Sequence, residues 1–226
     1  MVGERSSELS QSPPAGPLKI VVRSTDRALF TGQTGSGKTY AAGHLIRSLD
    51  RVVVIDPKAS ESIDKWGLVP WDREARRILR SNEALRARVL IPIGKDPDEV
   101  FEEVFALVLA AGNCTVYVDE LYGVVPPGAK PGPYLTALWT RGRELGVGAW
   151  AATQRPTWVP LFALSEAQHF FVFRLLLDED RARMSAFMGP QVRTPIDDDH
   201  GFYYSSPSWR APIYLPELPV NGRGKA

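Results

Sequence analysis

Gly32-Gln33-Thr34-Gly35-Ser36-Gly37-Lys38-Thr39 fills every position of the pattern G-x-x-x-x-G-K-[ST]. That spacing follows from the shape of a triphosphate. Backbone N–H groups of the loop must turn inward around phosphate oxygens, and glycine lets the chain come that close. Lys38 would reach the β/γ oxygens as a point charge, and the Thr39 hydroxyl would take one place on Mg²⁺. Tyr40 follows at the start of a helix whose positive end adds to the anion site. An apolar run, Arg27–Thr31, precedes the loop, and a helix-compatible stretch with Leu45, Ile46 and Leu49 follows it. Strand, glycine loop and helix is the order that nucleoside triphosphate binding requires.

A second constellation lies some eighty residues on. Asn113-Cys-Thr-Val-Tyr-Val-Asp-Glu120 is an apolar strand ending in two acids. It looks like a Walker B element, in which Asp119 holds Mg²⁺ and Glu120 is the base that polarises an attacking water. A glutamate directly after the aspartate favours ATP hydrolysis over a small-molecule kinase, which needs no such base. A GTPase is disfavoured because no Asn-Lys-x-Asp element occurs.

A third piece is the small-residue strand Gly148–Thr153, which ends at Gln154. A polar amide at the end of a strand between the loop strand and the acid strand would lie beside the γ-phosphate. There it would sense hydrolysis or orient the water. The bland alternative is a solvated glutamine before a turn-forming Arg-Pro.

These groups need a scaffold, and the chain alternates accordingly. Strands are expected at Lys19–Arg23, Ala28–Thr31, Arg51–Ile55, Arg88–Ile93, Thr115–Asp119, Gly148–Thr153 and Phe170–Leu175, with two more at Gly201–Ser205 and Ala211–Leu215. Helices are expected at Gly37–Leu49, Asp72–Ala87, Pro97–Ala111, Pro133–Leu145, Pro160–Ala167 and Asp178–Met188. Such alternation implies an α/β fold in three layers, a central and mostly parallel sheet flanked by helices. With 226 residues, 44% of them hydrophobic, one ATPase domain over residues 18–219 is expected. Residues 1–17 and 220–226 read as flexible tails.

A formal net charge of +1 excludes a domain that coats nucleic acid over its whole surface, though not a local basic lining. Cys114, the single cysteine, lies in an apolar run and reads as a core residue. No stretch approaches the ~20 apolar residues of a membrane span and no signal peptide is visible, so a cytoplasmic protein without membrane insertion is expected.

The order of these pieces resembles the FtsK/HerA superfamily of ring-forming DNA-pumping ATPases. The resemblance is carried by Gly32–Thr39, by Ile55-Asp-Pro-Lys58, by Asp119-Glu120, and by Arg141-Gly-Arg143 leading to Ala152-Thr-Gln-Arg-Pro156. His169-Phe-Phe-Val-Phe-Arg174 and the helix after it also match the family's closing strand. The resemblance implies a RecA-like P-loop core of the ASCE type, with extra strands between loop strand and acid strand. It also implies a homo-oligomeric ring, expected to be a hexamer, with ATP and Mg²⁺ at the seams between subunits. An arginine from the neighbour would complete each site; Arg141 or Arg143 is the first candidate, and Arg155 and Arg174 are alternatives. Asp56 and Lys58 would position either the nucleotide or a subunit contact.

The chain shows neither a membrane region nor a winged-helix reader, which makes it most like the packaging ATPases of double-stranded DNA viruses. Double-stranded DNA and capsid or portal-vertex proteins are then the expected partners. A cellular HerA/FtsK-like translocase in end processing or segregation, and a virion assembly or secretion ATPase, are the alternatives. For the DNA grip, the candidates are Arg73, Arg76, Arg77 and Arg80, spaced along one helical side, and the stiff loop Val124–Pro133 with Lys130 near its tip.

Overall fold

Runs such as Val52-Val-Val-Ile55 and Thr115-Val-Tyr-Val118 are apolar on both faces, and only a strand covered on both sides can bury them. The structure, a computed structural model describing residues 19–207 and 211–219, places them at the centre of a nine-stranded sheet. The strands are β1 (Arg27–Thr31), β2 (Arg51–Ile55), β3 (Val69–Pro70), β4 (Leu85–Val89), β5 (Thr115–Asp119), β6 (Gly148–Thr153), β7 (His169–Phe173), β8 (Phe202–Ser205) and β9 (Ile213–Leu215). Their order across the sheet is β3-β4-β2-β5-β6-β1-β7-β8-β9. Strands β1 to β7 are parallel, and β8 and β9 close one edge antiparallel.

Alternate residues of each strand feed two cores. Leu29, Val53, Val116, Ala149 and Phe170 face α3 (Arg73–Ser81), α4 (Pro97–Ala111), α5 (Pro133–Arg141), α6 (Leu161–Glu166) and α7 (Asp178–Met188). Phe30, Val54, Tyr117, Trp150 and Phe171 face α1 (Lys38–Ile46) and the short α2 (Glu61–Asp64). Phe30 stacks on Phe171 with ring centroids 4.4 Å apart. Asp96 caps α4, its side chain accepting from Asp98 N, with Pro97 in the first turn.

The expected fold class is therefore the one observed, but one strand, β6, rather than several lies between loop strand and acid strand. Because β1, β2, β5, β6 and β7 run in parallel, their C-terminal ends open at one edge of the sheet. The glycine loop, the Asp56 turn, the acid pair and Gln154 all follow those ends.

Three further expectations need correction. Lys19–Arg23 forms no strand: both sides of β1 are already taken by β6 and β7, so the preceding segment has no ladder to join. Ile20 and Val22 are buried in the second core instead. The helix expected over Asp72–Ala87 stops at Ser81, because Asn82 adopts a left-handed conformation (φ 60°) and ends it. Strand β4 then covers Leu85–Val89 in place of the expected Arg88–Ile93, with Leu85, Ala87 and Val89 inward. The expected tails, 1–17 and 220–226, fall outside the described residues. No helix among those residues is long and apolar enough to cross a membrane.

Candidate nucleotide site

The loop Gly32–Gly37 leaves β1 and returns into α1 with Gly37 in the left-handed region (φ 104°), where a side chain would be strained. At Gly32 a Cβ would lie 2.7 Å from Phe173 Cβ and from Ser36 Oγ, so the loop packs directly on the end of β7. Ser36 donates to Gln33 O at 2.8 Å and braces the turn. Lys38 is buried and folds back over the loop, its Nζ donating to Gly32 O (2.6 Å) and Gln33 O (2.9 Å). Burial pulls its ammonium down to about 8, against the opposing pull of Glu120 and Asp119.

The acids arrive on β5. Asp119 Oδ1 accepts from Tyr117 OH (2.7 Å) and Thr39 Oγ1 (3.2 Å), and Oδ2 accepts from Ser60 Oγ (3.2 Å). Burial above all, with Asp56 adding, raises its carboxyl over the ordinary range, while the three hydroxyls work the other way. The Thr39 hydroxyl and the Asp119 carboxylate are hard oxygen donors already in contact. That donor set fits magnesium, which takes one or two protein oxygens and completes its shell with phosphate and water.

Glu120 turns out of the strand at φ 107°, a conformation that costs a non-glycine residue energy and is commonly retained at functional sites. Its side chain is buried and held at both oxygens. Oε1 accepts from Gln154 N (3.2 Å); Oε2 accepts from Gln154 Nε2 (2.9 Å) and Lys58 Nζ (3.2 Å). Gln154 in turn accepts at Oε1 from Thr34 Oγ1 (3.0 Å), so one amide joins the phosphate loop to the acid strand. Burial works against the charge on Lys58, but Tyr122 and Glu120 raise its ammonium above the ordinary lysine value.

Thr34, Gly35, Gly37, Lys38, Thr39 and Tyr40 line a single cavity of about 660 Å³ together with Asp119, Glu120 and Gln154. Gly32, Gln33 and Ser36 stand behind this lining: the carbonyls of Gly32 and Gln33 accept from Lys38 Nζ, and Ser36 Oγ donates to Gln33 O. Tyr40 stands exposed at the mouth. Sequence reasoning missed the far wall, which comes from Phe173, His200, Glu217 and Leu218. Phe173 ends β7, beside β1, but no local pattern marks His200, Glu217 or Leu218, which only the closing antiparallel strands bring back to the cavity.

The arginines divide. Arg141 and Arg143 are exposed at the end of α5 and in the turn after it, near the start of β6. Arg143 is close enough to Arg27, at the start of β1, to repel its guanidinium. Both therefore lie about 15 Å, a strand's length, from the loop, and the structure does not bring them to this cavity. Arg155 is engaged by Asp180 (2.7 Å) and Glu179 and lies over the Trp158 ring. Arg174 Nε and Nη2 lie 2.6 and 2.7 Å from the Gln33 side-chain amide, whose oxygen accepts from both when the amide is turned toward the guanidinium. Of the helix-face arginines, Arg76 pairs with Glu103 and Arg77 with Glu74. Arg73 and Arg80 make no ion pair within the described residues. Arg86 and Arg88 belong to β4 and bond inward, to backbone carbonyls and to Asp56.

No protein-family model matches the chain. DNA packaging ATPase P9 of Enterobacteria phage PRD1 is 31% identical over 169 residues, which cover 72% of this chain and 70% of P9. Genome packaging NTPase B204 of Sulfolobus turreted icosahedral virus 2, solved with ATP-γS, superposes with a TM-score of 0.70 at 15% identity, covering 87% of this chain and 100% of that one. The conjugation coupling protein TcpA of pCW3 superposes with a TM-score of 0.60 at 13% identity, covering 89% of this chain and 62% of its own. At such identities the structural likenesses speak for the fold.

Proposed function

The chain belongs to the family of viral DNA packaging ATPases that includes P9 of phage PRD1, P-loop ATPases of the FtsK/HerA type, and on that premise we propose that it couples ATP hydrolysis in this cavity to the movement of double-stranded DNA into a capsid. The observation that carries the reading is the junction at Glu120. A buried carboxylate at the end of β5, a backbone-strained turn and the Gln154 amide meet beside a complete phosphate loop.

Each residue then has a task. The loop amides between Gly32 and Thr39 cradle the phosphates, and Lys38 exchanges the carbonyls of Gly32 and Gln33 for phosphate oxygens. Thr39 and Asp119 would hold a magnesium ion, which supplies charge neutralisation at the phosphates when bound. Glu120 accepts the proton of the attacking water, and Gln154 orients that water and reports to the loop through Thr34. Tyr40, Phe173, His200 and Leu218 give the nucleoside an aromatic and apolar wall.

Arg141 and Arg143 project from the opposite edge of the sheet, which suits a donor acting on a neighbour's site and therefore a ring of identical subunits, taken as a hexamer. DNA would pass the α3 arginines Arg73 and Arg80 and the 124–133 loop by backbone contact alone. The place of action is the host cytoplasm, at the capsid vertex where DNA enters.

The test is ATP hydrolysis with and without duplex DNA, for the wild type and for Lys38→Ala and Glu120→Gln. Turnover stimulated by duplex and lost in both variants is expected. Hydrolysis persisting in both would overturn the site assignment.

A further inference from the structure

The Asp56-Pro-Lys-Ala-Ser60 turn after β2 holds a carboxylate that is entirely buried. Burying a charge is costly unless it is paired and fully hydrogen-bonded, and Asp56 is both. Its oxygens accept from four N–H groups: Lys58 N (3.2 Å), Ser60 N (2.9 Å), Arg88 Nε (3.0 Å) and Arg88 Nη2 (2.5 Å). The turn it organises carries Ala59 at φ 51°, a left-handed conformation in a residue other than glycine. The outcome of that turn is specific. Lys58 is sent to Glu120 and Ser60 to Asp119, one residue to each member of the acid pair.

Ser60 occupies the N-cap position of α2, where a serine hydroxyl ordinarily accepts from a backbone N–H of the first turn. It makes no such bond. Its Oγ lies instead 3.2 Å from Asp119 Oδ2 and 3.3 Å from Asp56 Oδ1. A hydroxyl has one proton; Asp56 Oδ1 already accepts from Lys58 N, whereas Asp119 Oδ2 has no second donor among the described residues, so the proton goes to the shorter contact, Asp119. Asp119 is then held at Oδ2 by Ser60 and at Oδ1 by Thr39 and Tyr117.

We propose that Ser60 is a positioning residue of the cation site: fixed by Asp56, its hydroxyl sets the Asp119 carboxylate through the oxygen that Thr39 does not use. This rests on the reading of Thr39 and Asp119 as the cation's protein ligands. Once Thr39 turns its oxygen toward a cation, Tyr117 and Ser60 are the bonds left to hold the aspartate's plane. Outer partners of this kind fix the orientation of a ligating carboxylate and raise metal affinity.

The experiment titrates Mn²⁺, followed by electron paramagnetic resonance, into the full chain saturated with ATP-γS, alongside ATP-γS affinity in EDTA. Ser60→Ala should weaken Mn²⁺ binding on the order of 10-fold while leaving the EDTA affinity unchanged, and Ser60→Thr, which restores the hydroxyl, should recover it. A Ser60→Ala protein that binds Mn²⁺ as the wild type does, while Asp119→Asn loses it, overturns the role of Ser60 alone. If Asp119→Asn also retains Mn²⁺ affinity, the cation reading itself fails and the role of Ser60 with it.

Discussion

Lys58 Nζ lies 3.2 Å from Glu120 Oε2, the oxygen that also accepts from Gln154 Nε2. The partners are unequal: the lysine side chain is 41% exposed and the glutamate 5%. Lysine can leave for water at little cost, whereas the carboxylate stays behind with its two Gln154 bonds. Lys58→Met should therefore lower folding stability by only about 1 kcal/mol. Glu120→Gln should keep stability close to wild type and reduce turnover by at least about 100-fold. Urea unfolding beside steady-state hydrolysis checks both. Large destabilisation in the first variant with near-normal turnover in the second would mark the pair as structural.

Lys38 supplies a pH signature. An unfolded lysine keeps its proton to near 10.5, and the folded one sheds it near 8. Between those values the unfolded chain binds more protons, so this residue makes stability rise with pH across that window. Phosphate entering the loop reverses the shift, so nucleotide binding at about pH 9 should take up a proton. Calorimetry in buffers of different ionisation enthalpy would detect it, and Lys38→Met should remove both the uptake and the slope. Binding heats that ignore the buffer would contradict the buried position of the ammonium.

Asp119 gives the opposite sign. A carboxyl raised in the folded state contributes most below its unfolded value and loses that contribution as pH climbs through the folded one. At neutral pH the charged form is thus a burden on the nucleotide-free protein. Asp119→Asn should hold or raise the melting temperature while abolishing Mg²⁺-dependent turnover. A clear drop in melting temperature would show that the carboxylate stabilises the fold.

On the proposed ring, Arg141 and Arg143 can be separated by subunit mixing. Alanine at the arginine that acts should cut turnover by roughly 10³-fold, the loss expected of a residue stabilising charge on the transferred phosphoryl group. A mixture of that variant with Glu120→Gln should regain activity, because some seams then pair an intact base with an intact arginine. Mixtures as inactive as their components, with either arginine variant, would remove both from the role.

The parts of the fold that follow from ligand chemistry or unbroken apolar runs were readable in the amino-acid order. Gly32–Thr39, Asp119-Glu120 and the strand leading to Gln154 fall where their spacing requires, with β6 between β1 and β5. What was not readable depends on neighbours distant in sequence. Arg86 looks like the surface of a continuing helix and Arg88 like the first residue of a strand that begins three residues too late. Only the left-handed Asn82 and the pairing of β4 with β2 turn them inward. The segment before β1 is apolar enough for a strand but finds no free edge. Ser60 carries no signal at all, since its importance comes from the Asp56 turn and from an aspartate on another strand.

His200 and Leu218 belong to the segments around the last two strands, yet they wall the same cavity as a loop finished near the chain's beginning. During synthesis the phosphate cradle would leave the ribosome long before the wall that receives the nucleoside. A chain still being made would thus have little hold on ATP until β8 and β9 had docked beside β7.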